Sequence, residues 1–151
     1  MLIEDREFDQ HTGLPSSSQD DETIFRSCEF VDLTIEGAGF DGALVNCTLR
    51  AIDWYWGLFN TAFFLRTRFE NCIFRGSSFM GCQLVECQFS GCHFVLDNLG
   101  GTCSFEDCSI VECSFDKCEF VLDSPRGRPV FAGTRWYGCK QTQCTGLTGL
   151  F

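Results

Sequence analysis

The chain has 151 residues, the length of one domain with a single continuous core. It carries 21 acidic and 11 basic residues, for a net charge of −10. This charge argues against direct binding to nucleic acid or to an anionic membrane surface, because both need a cationic face. Hydrophobic residues make up 44% of the chain, which is typical of a folded protein.

The N-terminal segment, residues 1–22, carries seven acids and Arg6 and stands outside the pattern described below. We interpret it as an acidic arm and linker, in which Leu2, Ile3 and Phe8 cap the fold and residues 13–21 (GLPSSSQDD) form the linker. Its first ten residues contain no basic segment followed by an apolar one. We therefore expect no secretory signal and a cytoplasmic protein.

From Phe25 onward, a large apolar residue occurs at every fifth position, with a one-residue deletion before Leu44 and a one-residue insertion before Phe105. These centres are Phe25, Phe30, Ile35, Phe40, Leu44, Leu49, Trp54, Phe59, Phe64, Phe69, Phe74, Phe79, Leu84, Phe89, Phe94, Leu99, Phe105, Ile110, Phe115 and Phe120. A small residue usually stands two positions earlier. Ten of the 12 cysteines occupy that place: Cys28, Cys47, Cys72, Cys82, Cys87, Cys92, Cys103, Cys108, Cys113 and Cys118.

A period of five fits neither a helix nor a flat strand. It fits a four-sided coil, in which each side turns positions one and three inward and then makes a corner. Segments such as CIFRG (72–76), CQFSG (87–91) and CSFED (103–107) resemble the pentapeptide-repeat family, whose units read approximately A(D/N)LXX. The resemblance implies an all-β protein, a right-handed quadrilateral β-helix of about five to six coils over residues 23–138. Residues 139–151 would form a C-terminal cap or tail.

The four-sided coil predicts which residues share a side and which fill the interior. One column is expected to contain Ile35, Trp54, Phe74, Phe94 and Phe115, and the next Phe40, Phe59, Phe79, Leu99 and Phe120. Stacked cysteines are expected as Cys72, Cys92, Cys113 and as Cys87, Cys108. The predicted core residues are Phe30, Phe59, Phe74, Phe79, Phe89, Phe94, Phe105, Phe115, Cys72, Cys92 and Cys113.

The cysteines lack CxxC pairs, and His11 and His93 are the only histidines. We expect buried, reduced thiols that act as small hydrophobic groups, in preference to disulfides or a zinc site. No nucleophile stands near His93, and no glycine motif joins a strand to a helix. We therefore predict no catalytic residue, no metal and no cofactor, and expect that the protein is not an enzyme.

The phrase Phe-Val-Leu-Asp occurs twice where the pattern breaks, at 94–97 and at 120–123. Asp97 is expected at an inward position, where backbone N–H groups would have to satisfy its charge. Each break is interpreted as a corner loop, and the alternative for residues 122–130 is a loop that contacts a partner.

Outward positions between Trp54 and Leu65 are unusually apolar, which is typical of a protein-binding surface. The candidate partner-binding residues are Tyr55, Trp56, Leu58, Phe63, Leu65, Glu106, Asp107, Glu112 and Asp116. Two alternatives remain for the aromatic residues, namely that the N-terminal arm covers them or that the register is different.

Within the family, the quinolone-resistance (Qnr) type resembles B-form DNA as an acidic dimer and engages DNA gyrase. This chain departs from that type in its short length, its basic C-terminal end and its mid-chain arginines Arg50, Arg66, Arg68 and Arg75. The interpretation we favour is a binding protein that inhibits a partner, such as an immunity protein against a toxin, for example a nuclease. A DNA mimic that acts on gyrase or another topoisomerase and a structural adaptor are alternatives. A homodimer through one end of the coil is a further expectation.

Overall fold

The computed structural model describes residues 1–14, 23–122 and 129–151. These residues form 22 short parallel strands, arranged as four sheets that are the four sides of one coil. The predicted fold class, a right-handed quadrilateral β-helix, is confirmed. No helix in the described ranges is long and apolar enough to cross a membrane.

Two of the sides have seven strands each. Face A consists of Leu2–Glu4 (β1), Ile24–Arg26 (β3), Ala43–Val45 (β6), Phe63–Leu65 (β10), Gln83–Val85 (β14), Ser109–Val111 (β18) and Arg135–Tyr137 (β21). Face B consists of Glu7–Phe8 (β2), Glu29–Val31 (β4), Thr48–Arg50 (β7), Arg68–Glu70 (β11), Gln88–Ser90 (β15), Ser114–Asp116 (β19) and Lys140–Thr142 (β22).

The other two sides are shorter. Face C consists of Thr34–Glu36 (β5), Asp53–Tyr55 (β8), Ile73–Arg75 (β12), His93–Val95 (β16) and Glu119–Phe120 (β20). Face D consists of Leu58–Asn60 (β9), Ser78–Met80 (β13) and Ser104–Glu106 (β17). Face A is therefore opposite face C, and the corner between faces C and D is opposite the corner between faces A and B.

Each three-residue strand from β1 to β19 buries its central residue and turns the two flanking side chains outward, as in Leu2–Glu4 and Phe63–Leu65. In β21 and β22 the central residues Trp136 and Gln141 are not fully buried. Two residues after most centres the backbone takes a positive φ, as at Asn46 (52°) and Gly81 (64°), and this makes the corner. Left-handed φ is least costly for Gly and Asn, although this chain also places other residues at corners, as at Thr61 and Glu86.

Stacked phenylalanines fill the interior. Phe59, Phe79 and Phe105 lie on face D with ring centroids 4.5 and 4.6 Å apart and planes within 6° of parallel. Equivalent stacks line face B (Phe69, Phe89, Phe115) and face C (Phe74, Phe94, Phe120). All eleven predicted core residues are buried. Burying each ring contributes about 1.5–3 kcal/mol, so the stacks are a main source of stability.

The predicted register is wrong after Phe94. Facing residues are 20 positions apart between β10 and β14 (Phe63↔Gln83) but 26 apart between β14 and β18 (Gln83↔Ser109), so the insertion has six residues and not one. Leu99 belongs to the inserted loop and is 81% exposed, and Phe105 takes its place behind Phe79.

The later columns shift with this correction. Phe120, and not Phe115, follows Phe94 on face C, whereas Phe115 follows Phe89 on face B. Asp97 also leaves its predicted inward position, which Cys103 occupies with 1% exposure. In the loop, the Asp97 carboxylate accepts hydrogen bonds from the backbone N–H groups of Leu99 (2.8 Å) and Gly101 (2.7 Å).

The predicted ends of the coil also differ from the structure. The arm is part of the coil at its start, because Ile3 pairs with Phe25 and Phe8 pairs with Phe30, whereas Leu2 is 50% exposed. At the other end, Lys140–Thr142 pairs with β19, so strands continue into the segment predicted as a cap or tail. Beyond them Leu147 is buried, and the Phe151 ring lies 5.1 Å from Trp136. The predicted linker lies mainly outside the described residues.

The cysteine columns follow the corrected register. Cys82 lies next to Cys108 behind face A, and Cys28 lies next to Cys47 behind face B. The longer columns are Cys87–Cys113–Cys139 behind face B and Cys72–Cys92–Cys118–Cys144 behind face C. All twelve thiols are free, and most donate to a carbonyl of the preceding coil, as Cys72 Sγ does to Leu49 O at 3.3 Å.

Candidate protein-binding surface

The five apolar candidates lie on two separate surfaces. Tyr55 is on face C, Trp56 is at the corner between faces C and D, and Leu58 is on face D. Phe63 and Leu65 are both on the outside of face A. Strands β1 and β2 of the N-terminal arm lie on faces A and B, and Gln10, Gly13 and Leu14 lie beside Thr34–Glu36 of face C. Trp56 remains 37% exposed.

Trp56 occupies a corner position with a φ of +55°. The neighbouring coils have glycine at the equivalent corner, Gly37 (+68°) and Gly76 (+55°). A bulky side chain in this conformation is unfavourable, and Trp56 remains 37% exposed, so it fills no part of the core. The fold would be satisfied by glycine here, and a tryptophan therefore indicates a role outside folding.

The inserted loop, residues 96–101, packs on this tryptophan from two coils away. Trp56 Nε1 donates to Asp97 Oδ2 at 2.8 Å, and the Asn98 N–H donates to the Tyr55 hydroxyl at 2.9 Å. The loop crosses the intervening coil at Gly76, where a Cβ would lie 2.7 Å from Asp97 Oδ2. Loop and aromatic pair thus form one surface, which we name the C/D corner.

The C/D corner exposes more apolar area than the sequence indicated. Leu99 is 81% exposed and Leu58 is 57% exposed, and Met80 and Leu96 are also exposed. Sequence reasoning did not name Leu96, Leu99 or Met80 as exposed, and Leu99 was assigned to the core. The signal that could have given the expected corner loop its full length is the equal spacing of eleven residues from Phe94 to Phe105 and from Phe120 to Phe131. The loop predicted at residues 122–130 falls largely on residues 123–128, which lie outside the described residues.

Charge is distributed unequally around the coil. The described part of faces C and D and their shared corner has one cation, Arg75, whose Nε lies 3.1 Å from Asp53 Oδ1. The carboxylates on the same surfaces are Glu36, Asp41, Asp53, Asp97, Glu106 and Glu119. The other described cations lie on faces A and B and their shared corner or at the corner between faces B and C, and Arg66, for example, pairs with Glu86 at 2.9 Å.

The four acidic candidates do not form one cluster. Glu106 is on face D, and Asp107 is at the corner between faces D and A. Glu112 is at the corner between faces A and B, and Asp116 is on face B. Only Glu106 shares a side with the C/D corner, so these residues surround the coil.

Two of the interior thiols, Cys47 and Cys103, are held in their neutral form. Burial raises the pKa of Cys47 to about 11 and that of Cys103 to about 12. A thiol with such a pKa is a poor nucleophile at neutral pH, because the thiolate is the reactive form. His93 Nδ1 lies 3.5 Å from Glu119 Oε1 on the outside of face C. Among the residues that the structure covers, no group of three or more His, Cys, Asp or Glu could hold a metal ion.

Comparison with protein families gives a match to pentapeptide repeats, in eight copies, with residues 64–95 matched. These residues form β10 to β16, where the five-residue step and the four-sided coil are regular. Residues 64–95 are therefore pentapeptide repeats, as expected from the sequence. Comparison with curated proteins gives no match.

Several solved structures are similar to this chain. A trypsin-treated variant of QnrB1, a plasmid-mediated fluoroquinolone resistance protein, is 13% identical with a TM-score of 0.47, over 95% of this chain and 67% of that chain. Rfr23 from the cyanobacterium Cyanothece 51142 is 10% identical with a TM-score of 0.34, over 95% and 86%. HetL from Nostoc sp. strain PCC 7120, involved in heterocyst differentiation regulation, is 8% identical with a TM-score of 0.25, over 80% and 73%. At these values the similarities carry no information about what this chain binds.

Proposed function

We propose that this chain is a non-enzymatic binding protein that occupies a basic surface of a partner protein through its C/D corner and inhibits that partner. The observation that carries the proposal is Trp56, held by Asp97 at a corner where the neighbouring coils have glycine. A few residues provide most of the binding energy in protein interfaces, and tryptophan and tyrosine are enriched among them. Leu58 and Leu99 extend this apolar area on both sides of the tryptophan.

The charge around the corner supports a basic partner. Among the described residues of faces C and D and their shared corner, six carboxylates stand against a single arginine, which favours a negative potential there. Such a potential accelerates association with a cationic surface and disfavours partners of like charge. A nuclease toxin has this character because its DNA-binding cleft is basic, and inhibition by an immunity protein is the specific form of the proposal.

A DNA mimic that acts on gyrase or another topoisomerase is the second candidate, and the acidic surface of faces C and D favours it. Faces A and B limit this candidate, since Arg26, Arg50, Arg66, Arg68 and Lys140 interrupt the negative charge there. Mimicry would therefore be confined to two of the four sides. A gyrase supercoiling assay with the purified protein separates the two candidates, because an inhibitor of another enzyme leaves supercoiling unchanged.

The proposal is tested by affinity capture from the native cell, with Leu58→Asp and Trp56→Gly as test variants and Val31→Asp as control. Val31 is a half-buried outward residue on face B, away from the corner. We expect both test variants to lose the captured partner and the control to retain it. Capture should weaken as salt rises, because the attraction is screened. Equal capture by all variants would refute the C/D corner as the binding surface.

Trp56→Gly keeps this experiment interpretable. Gly37 and Gly76 occupy the equivalent corner of adjacent coils, so the backbone accepts glycine at this position. The substitution removes the unfavourable φ of a bulky residue and loses the bond to Asp97. These effects oppose each other, and the thermal unfolding temperature should change little while binding is lost.

A further inference from the structure

The outside of face A is apolar, in contrast to the outside of face B. Nine of its fourteen outward positions on either side of the strand centres are apolar: Leu2, Ile24, Ala43, Val45, Phe63, Leu65, Val85, Val111 and Tyr137. The equivalent fourteen positions of face B include one, Val31. The two sheets have the same number of strands and the same geometry, so the fold does not require this difference.

The apolar residues of face A form an unbroken column. Val45, Leu65, Val85, Val111 and Tyr137 occupy facing positions on consecutive strands from β6 to β21. Phe63 and Ala43 lie beside this column on β10 and β6. Contiguous exposed apolar area on a sheet marks an interaction surface.

We propose that face A is the interface of an antiparallel homodimer, with the two-fold axis passing through β10. This strand is the fourth of seven in its sheet and is therefore the midpoint of the face. Phe63 would contact Phe63 of the second copy, and Leu65 would contact Leu65 of the second copy. Val45 of one copy would contact Val85 of the other. The largest apolar side chains would thus lie at the centre of a self-complementary patch, as a two-fold interface requires.

Charge selects the antiparallel arrangement. Residues 1–9 carry Glu4, Asp5, Glu7 and Asp9 against Arg6, whereas residues 129–151 carry Arg135 and Lys140 and no acid. On face A itself the charged residues at the two ends are Glu4 on β1 and Arg135 on β21. An antiparallel pair places β1 of one copy opposite β21 of the other, so Glu4 of one copy lies diagonally across from Arg135 of the other at both ends of the interface. A parallel pair would place β1 opposite β1 and β21 opposite β21, which brings like charges near each other, and like charges at an interface are unfavourable.

The area is adequate for a reversible dimer. Seven strands spaced ~4.8 Å apart give a face roughly 30 Å long, and five residues per side give a width of about 16 Å. Two copies would together bury about 1,000 Å², the lower limit for a specific interface. The dimer is therefore expected to dissociate on dilution. Face A adjoins faces B and D and is remote from the C/D corner, so the C/D corner of each copy remains accessible in the dimer.

The proposal is tested by sedimentation of the full chain over a range of concentrations, with Leu65→Asp as test variant and Leu58→Asp as matched control. Leu65 lies half-buried on face A, and Leu58 lies exposed on face D. Leu65→Asp places two carboxylates at the two-fold axis and should weaken dimerisation at least about tenfold. Leu58→Asp should leave dimerisation unchanged. Circular dichroism of both variants checks that the fold is retained.

The antiparallel arrangement has its own test by oxidative crosslinking. Val45→Cys mixed with Val85→Cys should form a crosslinked pair, whereas each of these variants alone should not, and Leu65→Cys should crosslink to itself. The wild-type protein, with its twelve native thiols, is the background control. A monomer at every concentration would overturn the proposal. So would a dimer that Leu65→Asp leaves intact and Phe151→Asp disrupts, since that dimer would use the end of the coil.

Discussion

Phe63 and Phe64 are neighbours in β10, yet they belong to different regions of the molecule. Phe64 lies in the interior and is 1% exposed, whereas Phe63 lies half-buried on the outside of face A. Interior positions repeat from coil to coil because each residue must fit between the coils on either side. Outward positions have no such constraint, so an outward residue that departs from a polar pattern reports on binding and not on folding.

The largest expected effect comes from this pair. Phe64→Ala removes a ring that contacts Phe59 and Phe69, at centroid distances of 6.2 and 5.8 Å, and leaves a cavity. We expect the free energy of unfolding to fall by about 3–5 kcal/mol. Phe63→Ala should cost less than about 1 kcal/mol, because a surface substitution loses little packing. Denaturant unfolding of dilute protein measures both values, since association then does not contribute.

Similar losses in the two variants would contradict the division between interior and exterior. Such a result would mean that Phe63 contributes to folding, and the apolar character of face A would then need no partner to explain it.

The interior was largely predictable from sequence, because a five-residue step leaves one geometric solution. The outside was only partly predictable. Trp56 and Leu58 were identified as exposed, but Phe63 and Leu65 were grouped with them because distance around the coil is invisible in a list of outward residues. A corner loop was expected at the break after residues 94–97, but its length was underestimated because Leu99 is apolar and stands five residues after Phe94. Its bond partner Trp56 lies 41 residues before Asp97, and no local pattern indicates that contact.

An intermediate effect is expected from the interior thiols at alkaline pH. Burial raises the pKa of Cys47 to about 11 and that of Cys103 to about 12, above the ordinary value of 9.0 that holds when the chain is unfolded. A neutral thiol is therefore favoured in the folded state, and its stabilising effect is complete below pH 9. This effect is lost as the pH rises from 9 towards the pKa of the thiol in the folded state. For each thiol, the free energy of unfolding then falls by about 1.4 kcal/mol for each pH unit.

Unfolding temperatures measured from pH 8 upward should therefore fall once the pH passes 9.0.

The rate of thiol labelling in the native protein compares the interior of the coil with its C-terminal end. Cys139 and Cys144 are half-buried and should react first in the native protein, whereas Cys72 and Cys92 should react only on unfolding. Uniform labelling of all thiols at neutral pH would show that the interior is accessible and would contradict the stacked core.

The smallest effect is expected on the outside of face C. Arg75 Nε lies 3.1 Å and Nη2 lies 3.5 Å from the two carboxylate oxygens of Asp53, with side chains 38% and 39% exposed. An ion pair at this exposure contributes less than about 1 kcal/mol and is screened by salt. Arg75→Gln should therefore lower the free energy of unfolding slightly at low salt and hardly at all at high salt. A double-mutant cycle with Asp53→Asn measures the coupling, and a coupling above about 2 kcal/mol would show that outward positions on this face contribute to folding as the interior does.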